Sequence, residues 1–161
     1  MSNEMKPGRW NASLVDSIFN KGGALTPDEY DQVKGHPVAG EIMLAPVESL
    51  RPALQAVRGH HERFDGRGYP DGLAKDQTPL PARILAVADT YDAMTSDRSY
   101  RTALGDDVAH AEIRTHAGTQ FDPACVQAFE AARRSGALER ARHSTSRFVL
   151  RRRPPVPGPE G

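Results

Sequence analysis

The spacing of apolar residues predicts a helix over PARILAVADTYDAMTS, residues 81–96. Ile84, Leu85, Ala88 and Tyr91 follow an i, i+1, i+4, i+7 pattern, which is typical of the buried face of an α-helix. Pro81 suits the first turn of this helix, because the amide hydrogen that proline lacks has no partner there. We therefore expect the helix to pack against its neighbours through these four side chains.

A second helix start is marked by polar residues rather than by apolar spacing. Thr26 is a suitable N-cap, Pro27 suits the first helical position, and Glu29 completes a capping box with Thr26. Leu25 and Tyr30 are spaced to form a hydrophobic staple across this helix start.

Proline and glycine mark the remaining helix boundaries. Pro37 disfavours helical geometry at the residue before it, so the first helix should end near Gly35 and another should open at Pro37. The helix that opens at Pro37 is short and carries Val38, Ile42 and Met43, and the next helix covers about residues 49–59, with Leu50, Leu54 and Val57 on one side. A further helix runs from an Asp106 cap to about His116. The last helix is capped by Asp122-Pro123, holds Val126, Phe129 and Ala132, and stops at Gly136. No segment shows strong alternation with period two, so the predicted class is all-α.

Residues 64–80, FDGRGYPDGLAKDQTPL, are rich in glycine, proline and aspartate, and we expect an ordered loop there. Glycine lets a backbone approach a ligand closely, and Pro70 in the cis form would make the loop rigid. Tyr69 is suited to stack on a base or to donate its hydroxyl hydrogen. Taken alone, the segment also fits an ordinary turn-rich loop.

Charge and composition limit the compartment and the partners. The 161 residues include 21 basic and 21 acidic side chains, which excludes capture of nucleic acid or anionic membrane by the whole molecule. The single cysteine, Cys125, excludes an intrachain disulfide framework and a multi-cysteine zinc site. No apolar run reaches the roughly 20 residues of a membrane span, and the N-terminus lacks the apolar core of a secretory signal. We expect a cytoplasmic protein.

The charges are unevenly distributed along the chain. Residues 133–161 contain eight Arg and two Glu, a net charge of +6, so residues 1–132 carry a net charge of −6. The chain ends in RRRPPVPGPEG, which cannot bury enough apolar surface to order itself. We predict a disordered, solubilising tail over residues 133–161, with at most weak contact to nucleic-acid phosphates.

Histidines are the first candidates for chemistry. His60 and His61, followed by Glu62, lie at a predicted helix end. Adjacent helical residues point about 100° apart, so one metal can bind both rings only if the helix ends there; otherwise two metals take one each. Imidazole suits iron, manganese, zinc and nickel. His36 lies between two predicted helices and can project into a bundle interior. Taken alone, a surface histidine pair and a structural His36 are the more common interpretations.

Asp89 is the second candidate, because it interrupts the apolar run of the helix over residues 81–96. A carboxylate is costly to bury unless it is paired or bound to a metal. Asp92 lies one turn later on the same face. The alternative, a solvent-facing Asp89 on an amphipathic helix, fits the pattern equally well.

Taken together, these segments resemble the HD-GYP family of metal-dependent phosphohydrolases. The resemblance rests on HHERFDGRGYPDGL, PLPARILAVADTYDAMTSDRSYR and GTQFDPACVQAF, and on the preceding DSIFNKGGALTPDEYDQVKGHPVAGEIM. It runs from about Leu14 to Ala132. The implied domains are an irregular N-terminus over residues 1–13, a partial HD-GYP domain over residues 14–132 and the tail over residues 133–161.

The resemblance implies a helical bundle with two or three metal ions, usually Fe or Mn, and hydrolysis of the bacterial second messenger cyclic di-GMP. The implied metal ligands are His36, His60, His61 and Asp89. The implied catalytic residues are Asp89 and Asp92, and Asp92 would support the metal ligands without binding the metal itself. The implied substrate contacts are Arg98, Arg101 and Tyr69. The motif loop comprises Glu62, Asp65, Gly66, Gly68, Tyr69 and Pro70, and the family associates it with contacts to protein partners.

One departure from the family pattern is plain. The sequence contains no His-Asp dipeptide, and GRWNASLV stands where the family has HDIGK. We therefore expect a chain that lacks the N-terminal helices of the bundle, with an incomplete metal site and an exposed face suited to self-association. The alternatives to a cyclic di-GMP phosphodiesterase are an inactive module that binds a nucleotide or a protein, or a fragment without an independent role.

Overall fold

The computed structural model describes residues 26–97 and 102–141, and within them it is helical with no β-strand, as predicted for an all-α chain. The helices described are α1 (Pro27–Val33), α2 (His36–Leu44), α3 (Leu54–Gly59), α4 (Leu80–Thr95), α5 (Asp106–Thr115) and α6 (Pro123–Arg134), with 3-10 helices at Glu48–Ala53 and Lys75–Gln77. None of these helices combines the length and the apolar character that a membrane crossing requires.

The chain divides into two compact units. In the first, residues 1–126, α2 packs on α3, α3 on α4, and α4 on α5. The second, residues 127–161, contains the rest of α6 and a further helical stretch at residues 137–141. Gly136 has a positive φ of 69° and follows the last turn of α6, which confirms the predicted stop. Residues 1–25 and 142–161, including most of the predicted tail, lie outside the described residues, so the domain boundaries stay a prediction.

The predicted caps of two helices are confirmed. The Thr26 amide donates to the Glu29 carboxylate at 2.7 Å, and the Glu29 amide donates to the Thr26 hydroxyl at 3.3 Å, which is a complete capping box. At the start of α6, the Asp122 carboxylate accepts the Ala124 amide at 2.8 Å. The predicted staple involves Leu25, which lies outside the described residues.

Two predicted helix boundaries are corrected. The helix expected over residues 49–59 is a 3-10 helix followed by α3. Pro52 explains this division, because it has no amide hydrogen to donate and so interrupts a continuous α-helical ladder. Asp106 is the first residue of α5 rather than its cap; Gly105 is the N-cap, and the Asp106 carboxylate accepts a hydrogen bond from the Tyr91 hydroxyl.

The predicted buried face of α4 is wrong for three of its four residues. Ile84 and Leu85 are 53% and 37% exposed, and Ala88 is exposed as well. The buried residues of this helix are Ala82, Ala86, Val87, Tyr91 and Met94. The reason is close packing: a β-carbon added at Gly59 would lie 2.9 Å from the β-carbon of Ala82. Helices this close select small side chains at their contact, and the larger aliphatic residues take the other face of α4.

The segment between α3 and α4 is the ordered loop that its composition predicts, and Glu62 holds it. The Glu62 side chain is buried, and one of its carboxylate oxygens accepts the amides of Asp71 and Gly72 at 2.7 and 3.1 Å. The other oxygen accepts the amide of Leu73 at 2.9 Å. The beginning and the middle of the loop are therefore bonded to each other through one carboxylate.

Two arginines attach this loop to the helices. The Arg63 guanidinium donates two hydrogen bonds to the Asp65 carboxylate and lowers the pKa of that group to about 2. Arg63 also donates to the Gln120 side chain at 3.1 Å, between α5 and α6. Arg58 on α3 donates to Glu41 of α2 at 2.6 Å and to both carboxylate oxygens of Asp71 at 2.7 and 2.8 Å. The loop therefore has fixed positions relative to α2, α3 and the α5–α6 connection.

The close approach of α3 and α4 predicts a stability change. Gly59→Ala should lower the free energy of unfolding by about 1–3 kcal/mol, because the added methyl group overpacks the contact with Ala82. Urea unfolding followed by circular dichroism measures this. The control is Gly105→Ser, since a β-carbon at Gly105 meets no atom within 4 Å and serine is a favoured N-cap. Equal stability of Gly59→Ala and the wild type would contradict the packing described here.

The buried Glu62 carboxylate predicts a second change. Glu62→Gln keeps the shape of the side chain but places an NH₂ group against a backbone amide, so two donors face each other. We expect a loss of about 1–3 kcal/mol in the free energy of unfolding. The matched control is Glu48→Gln, because Glu48 is exposed and pairs only with exposed Arg51 in the described part of the chain. If both variants unfold at the same urea concentration, the loop does not depend on this carboxylate.

Candidate metal centre

Three histidines from two separate parts of the chain meet at the end of α3. His36 is the first residue of α2, His60 is the C-cap of α3, and His61 follows it. One ring nitrogen of each histidine lies within 4.8 Å of the corresponding nitrogens of the other two. Because α3 ends at Gly59, the two adjacent rings reach the same place, which meets the condition that the sequence set for one shared site.

Backbone carbonyls fix the protonation pattern of two of these rings. His36 Nδ1 lies 2.7 Å from the carbonyl oxygen of Val33, and His60 Nδ1 lies 2.7 Å from that of Val57. A carbonyl can only accept, so each Nδ1 carries a hydrogen. In the neutral rings each Nε2 then presents a lone pair, and the two Nε2 atoms are 3.2 Å apart. Two lone pairs at that distance repel each other unless a cation, either a proton or a metal ion, lies between or beside them. The pair therefore fits a cation.

Burial favours the neutral, ligating form of the histidines. It lowers the pKa of His36. Burial, together with the charges that His60 and His36 would carry, lowers the pKa of His61 to about 3. Neutral imidazole is the form that binds metals, so the burial of these rings suits metal binding.

Tyr69 closes one side of the histidine cluster. Its ring is stacked on the His61 imidazole, with centroids 4.8 Å apart and planes 20° apart. The Tyr69–Pro70 bond is cis, as the sequence suggested for a rigid loop. Burial raises the pKa of Tyr69 to about 12, so the phenol keeps its hydrogen near neutral pH. A β-carbon on Gly68 would collide with backbone atoms of His61, and therefore only glycine allows the loop to lie this close.

Neither aspartate of α4 is part of the cluster, although Asp89 is close enough for its charge to act on His36. Asp89 is exposed, and its charge acts on both His36 and Tyr69: it partly opposes the lowering of the His36 pKa that burial causes, and it adds to the raising of the Tyr69 pKa that burial causes. Within the described residues, the group of possible ligands within 4.8 Å of one another contains neither Asp89 nor Asp92. Asp92 is exposed and accepts a hydrogen bond from the Ser96 hydroxyl at 3.3 Å. Their assignments as ligand and supporting residue stay predictions.

The remaining predicted site residues fall into two groups. Arg98 and Arg101 lie outside the described residues. Glu62, Asp65 and Gly66 are in the loop, where the two carboxylates bind loop groups and Gly66 has a positive φ of 77°. The sequence prediction missed the carbonyls of residues 33 and 57, although each stands three residues before a histidine near a helix end, a spacing that suits such a bond.

The chain is similar to known proteins in both sequence and structure. A family model described as HD domain matches residues 11–125. The chain is 45% identical over 119 residues to the cyclic di-GMP phosphodiesterase response regulator RpfG of Xanthomonas campestris pv. campestris, covering 72% of this chain and 31% of that protein. It is 40% identical over 124 residues to a probable cyclic di-GMP phosphodiesterase of Vibrio cholerae, covering 72% of this chain and 28% of that protein.

A solved structure has the same fold. It is the crystal structure of a cyclic GMP-AMP specific phosphodiesterase of Vibrio cholerae, with a TM-score of 0.54, 19% sequence identity, and coverage of 74% of this chain and 31% of that one. The chain thus spans less than a third of the length of these relatives. Because the family model covers most of the chain and its motif HHERFDGRGYP contains two of the three clustered histidines, the chain belongs to the HD domain family, within its HD-GYP branch.

Proposed function

We propose that this chain forms a metal-dependent phosphodiesterase module that hydrolyses cyclic di-GMP in bacterial second-messenger signalling. The observation that carries the proposal is the meeting of three half-buried imidazoles, two of them with their Nε2 atoms 3.2 Å apart. The relatives from Xanthomonas and Vibrio support cyclic di-GMP as the substrate, since their names give that activity.

His36, His60 and His61 would hold the metal ion, and the nearby Asp89 would add a carboxylate. A ligand set of imidazoles with one carboxylate suits Fe²⁺ or Mn²⁺, which are the ions we propose. A divalent ion bound there would polarise a phosphodiester oxygen and offset the negative charge that develops on it. We propose that Asp92 supports these ligands without binding the metal itself; the Ser96 hydroxyl donates a hydrogen bond to one of its carboxylate oxygens.

The substrate contacts in this proposal come from hydrogen-bond donors. The Tyr69 phenol carries its hydrogen near neutral pH, as phenols ordinarily do, and burial raises its pKa further, to about 12; it can donate that hydrogen to a phosphate oxygen or a base. Arg98 and Arg101 are proposed to bind the phosphates, since a planar guanidinium donates two parallel hydrogen bonds to a phosphate group.

A second candidate function is binding of the nucleotide or of a protein partner without turnover. Two observations favour it: the sequence contains no His-Asp dipeptide, and Asp89 lies outside the cluster of possible ligands. One metal ion bound by three histidines alone would leave fewer groups to activate water than a two-metal site has.

Metal binding is the first prediction of this proposal. The wild-type chain should bind Mn²⁺, and His36→Ala should weaken that binding by at least about tenfold because it removes a ligand nitrogen. The matched control is His116→Ala, which removes an imidazole that bonds Glu112 near the end of α5. Isothermal titration calorimetry measures the affinities. Equal Mn²⁺ affinity in His36→Ala and the wild type would rule out this cluster as the metal site.

Turnover is the second prediction. The full chain, loaded anaerobically with Fe²⁺ or Mn²⁺, should convert cyclic di-GMP to the linear dinucleotide or to GMP, as measured by chromatography. His61→Ala should abolish this activity, whereas His116→Ala should keep it. If the chain is folded, holds the metal and binds cyclic di-GMP but releases no product, the result would support the binding module instead.

A further inference from the structure

His61 is oriented differently from the other two histidines. His36 and His60 each have Nδ1 bonded to a backbone carbonyl, which fixes the rotation of the ring. Within residues 26–97 and 102–141, neither ring nitrogen of His61 makes a hydrogen bond. A metal ligand normally needs a partner that holds its ring, and another group must therefore hold this one.

The ring of Tyr69 is in the place where such a partner is needed. It lies nearly parallel to the His61 imidazole, with centroids 4.8 Å apart and planes 20° apart. The ring of His60 is next to His61 as well, at 4.2 Å, but it is tilted by 42° and is itself a member of the cluster. Tyr69 is thus the neighbour from outside the cluster that faces the flat side of His61.

The backbone holds the two rings in register. The Tyr69 amide donates to the carbonyl of His61 at 3.2 Å, so each stacked residue is also bonded to the other through its backbone. Gly68 lies directly against the backbone of residues 61–63, where no side chain fits. Beyond the stack, Glu62 accepts the amides of residues 71–73 and closes the loop. The backbone that carries the Tyr69 ring is therefore held by contacts that do not use a ligating ring nitrogen.

We propose that Tyr69 is a positioning residue for the metal centre: its stacked ring holds the His61 imidazole with one nitrogen directed at His36 and His60. This inference rests on the proposed metal centre and adds the group that orients its third ligand. The aromatic ring of Tyr69 performs this positioning, and its phenolic hydroxyl is not required for it. Tyr69 supplies to His61 the orientation that the carbonyls of residues 33 and 57 supply to the other two histidines.

The test compares two substitutions at one position in the full chain. Tyr69→Phe keeps the ring, and Tyr69→Leu removes it while keeping an apolar side chain. Arg67→Ala, an exposed position in the same loop, is the control. We expect Tyr69→Leu to weaken Co²⁺ binding about tenfold or more and to change the visible ligand-field bands of bound Co²⁺. Tyr69→Phe and Arg67→Ala should keep the wild-type affinity and spectrum.

A second measurement needs no metal. In the wild type and in Tyr69→Phe, the ring current of residue 69 should shift the carbon-bound proton resonances of the His61 imidazole upfield in ¹H–¹³C NMR spectra. Tyr69→Leu should lose that shift. Absence of the shift in the wild type would overturn the stack, and loss of Co²⁺ affinity in Tyr69→Phe would overturn the role of the ring. Neither result depends on whether Tyr69→Leu folds.

The outcomes separate this inference from the proposed function. If the wild type binds Co²⁺ and a folded Tyr69→Leu binds it equally well with the same spectrum, the positioning role is wrong and the metal centre stands. If the wild type shows the ring-current shift but binds neither Co²⁺ nor Mn²⁺, the metal centre is wrong and this inference is overturned with it.

Discussion

The candidate centre depends on the hydrogen bonds that the buried carboxylate of Glu62 accepts from the backbone of its loop. Glu62 is next to His61 in the chain and accepts the backbone amides of residues 71–73, in the middle of the loop. The Lys75 amide also closes the loop by donating to the Phe64 carbonyl at 3.0 Å, and Arg58 of α3 forms an ion pair with Asp71. That pair is about one-third exposed, and solvent weakens such pairs. The Tyr69 ring stacked on His61 and the close approach of Gly68 both belong to the loop that Glu62 helps to close.

The sequence predicts the parts of the fold that depend on neighbours close in the chain. The capping box at Thr26, the cap at Asp122 and the stop at Gly136 are correct, because each involves groups within four residues of one another. The face of α4 could not be predicted in the same way. Apolar spacing identifies a stripe, but Gly59 decides which stripe is buried, since its missing side chain lets α3 approach Ala82. That choice depends on residues more than 20 positions apart.

The same distinction holds at the site. The pair His60-His61 and His36 were recognisable as candidate ligands, and the structure brings them together. The role of Glu62 was not predictable, because a glutamate beside two histidines looks like a fourth ligand until its backbone partners are known. Asp89 differs from Glu62 in that the sequence does predict a role for it, as a metal ligand. In the structure its charge acts on His36, but Asp89 is not in the group of possible ligands that the three histidines form.

The carbonyl bonds to His36 and His60 have a thermodynamic consequence. The His36 ring is oriented by the carbonyl of Val33 at the end of α1, and the His60 ring by that of Val57 in α3, so the loss of their rotational freedom belongs to folding and not to ion capture. When both rings are neutral with Nδ1 protonated, folding also brings the two Nε2 lone pairs close together, which does not happen in the unfolded chain. A cation removes the repulsion between them only in the folded state. Ion concentration and folding are therefore linked variables for this chain, and its stability is a property of the solution as well as of the sequence.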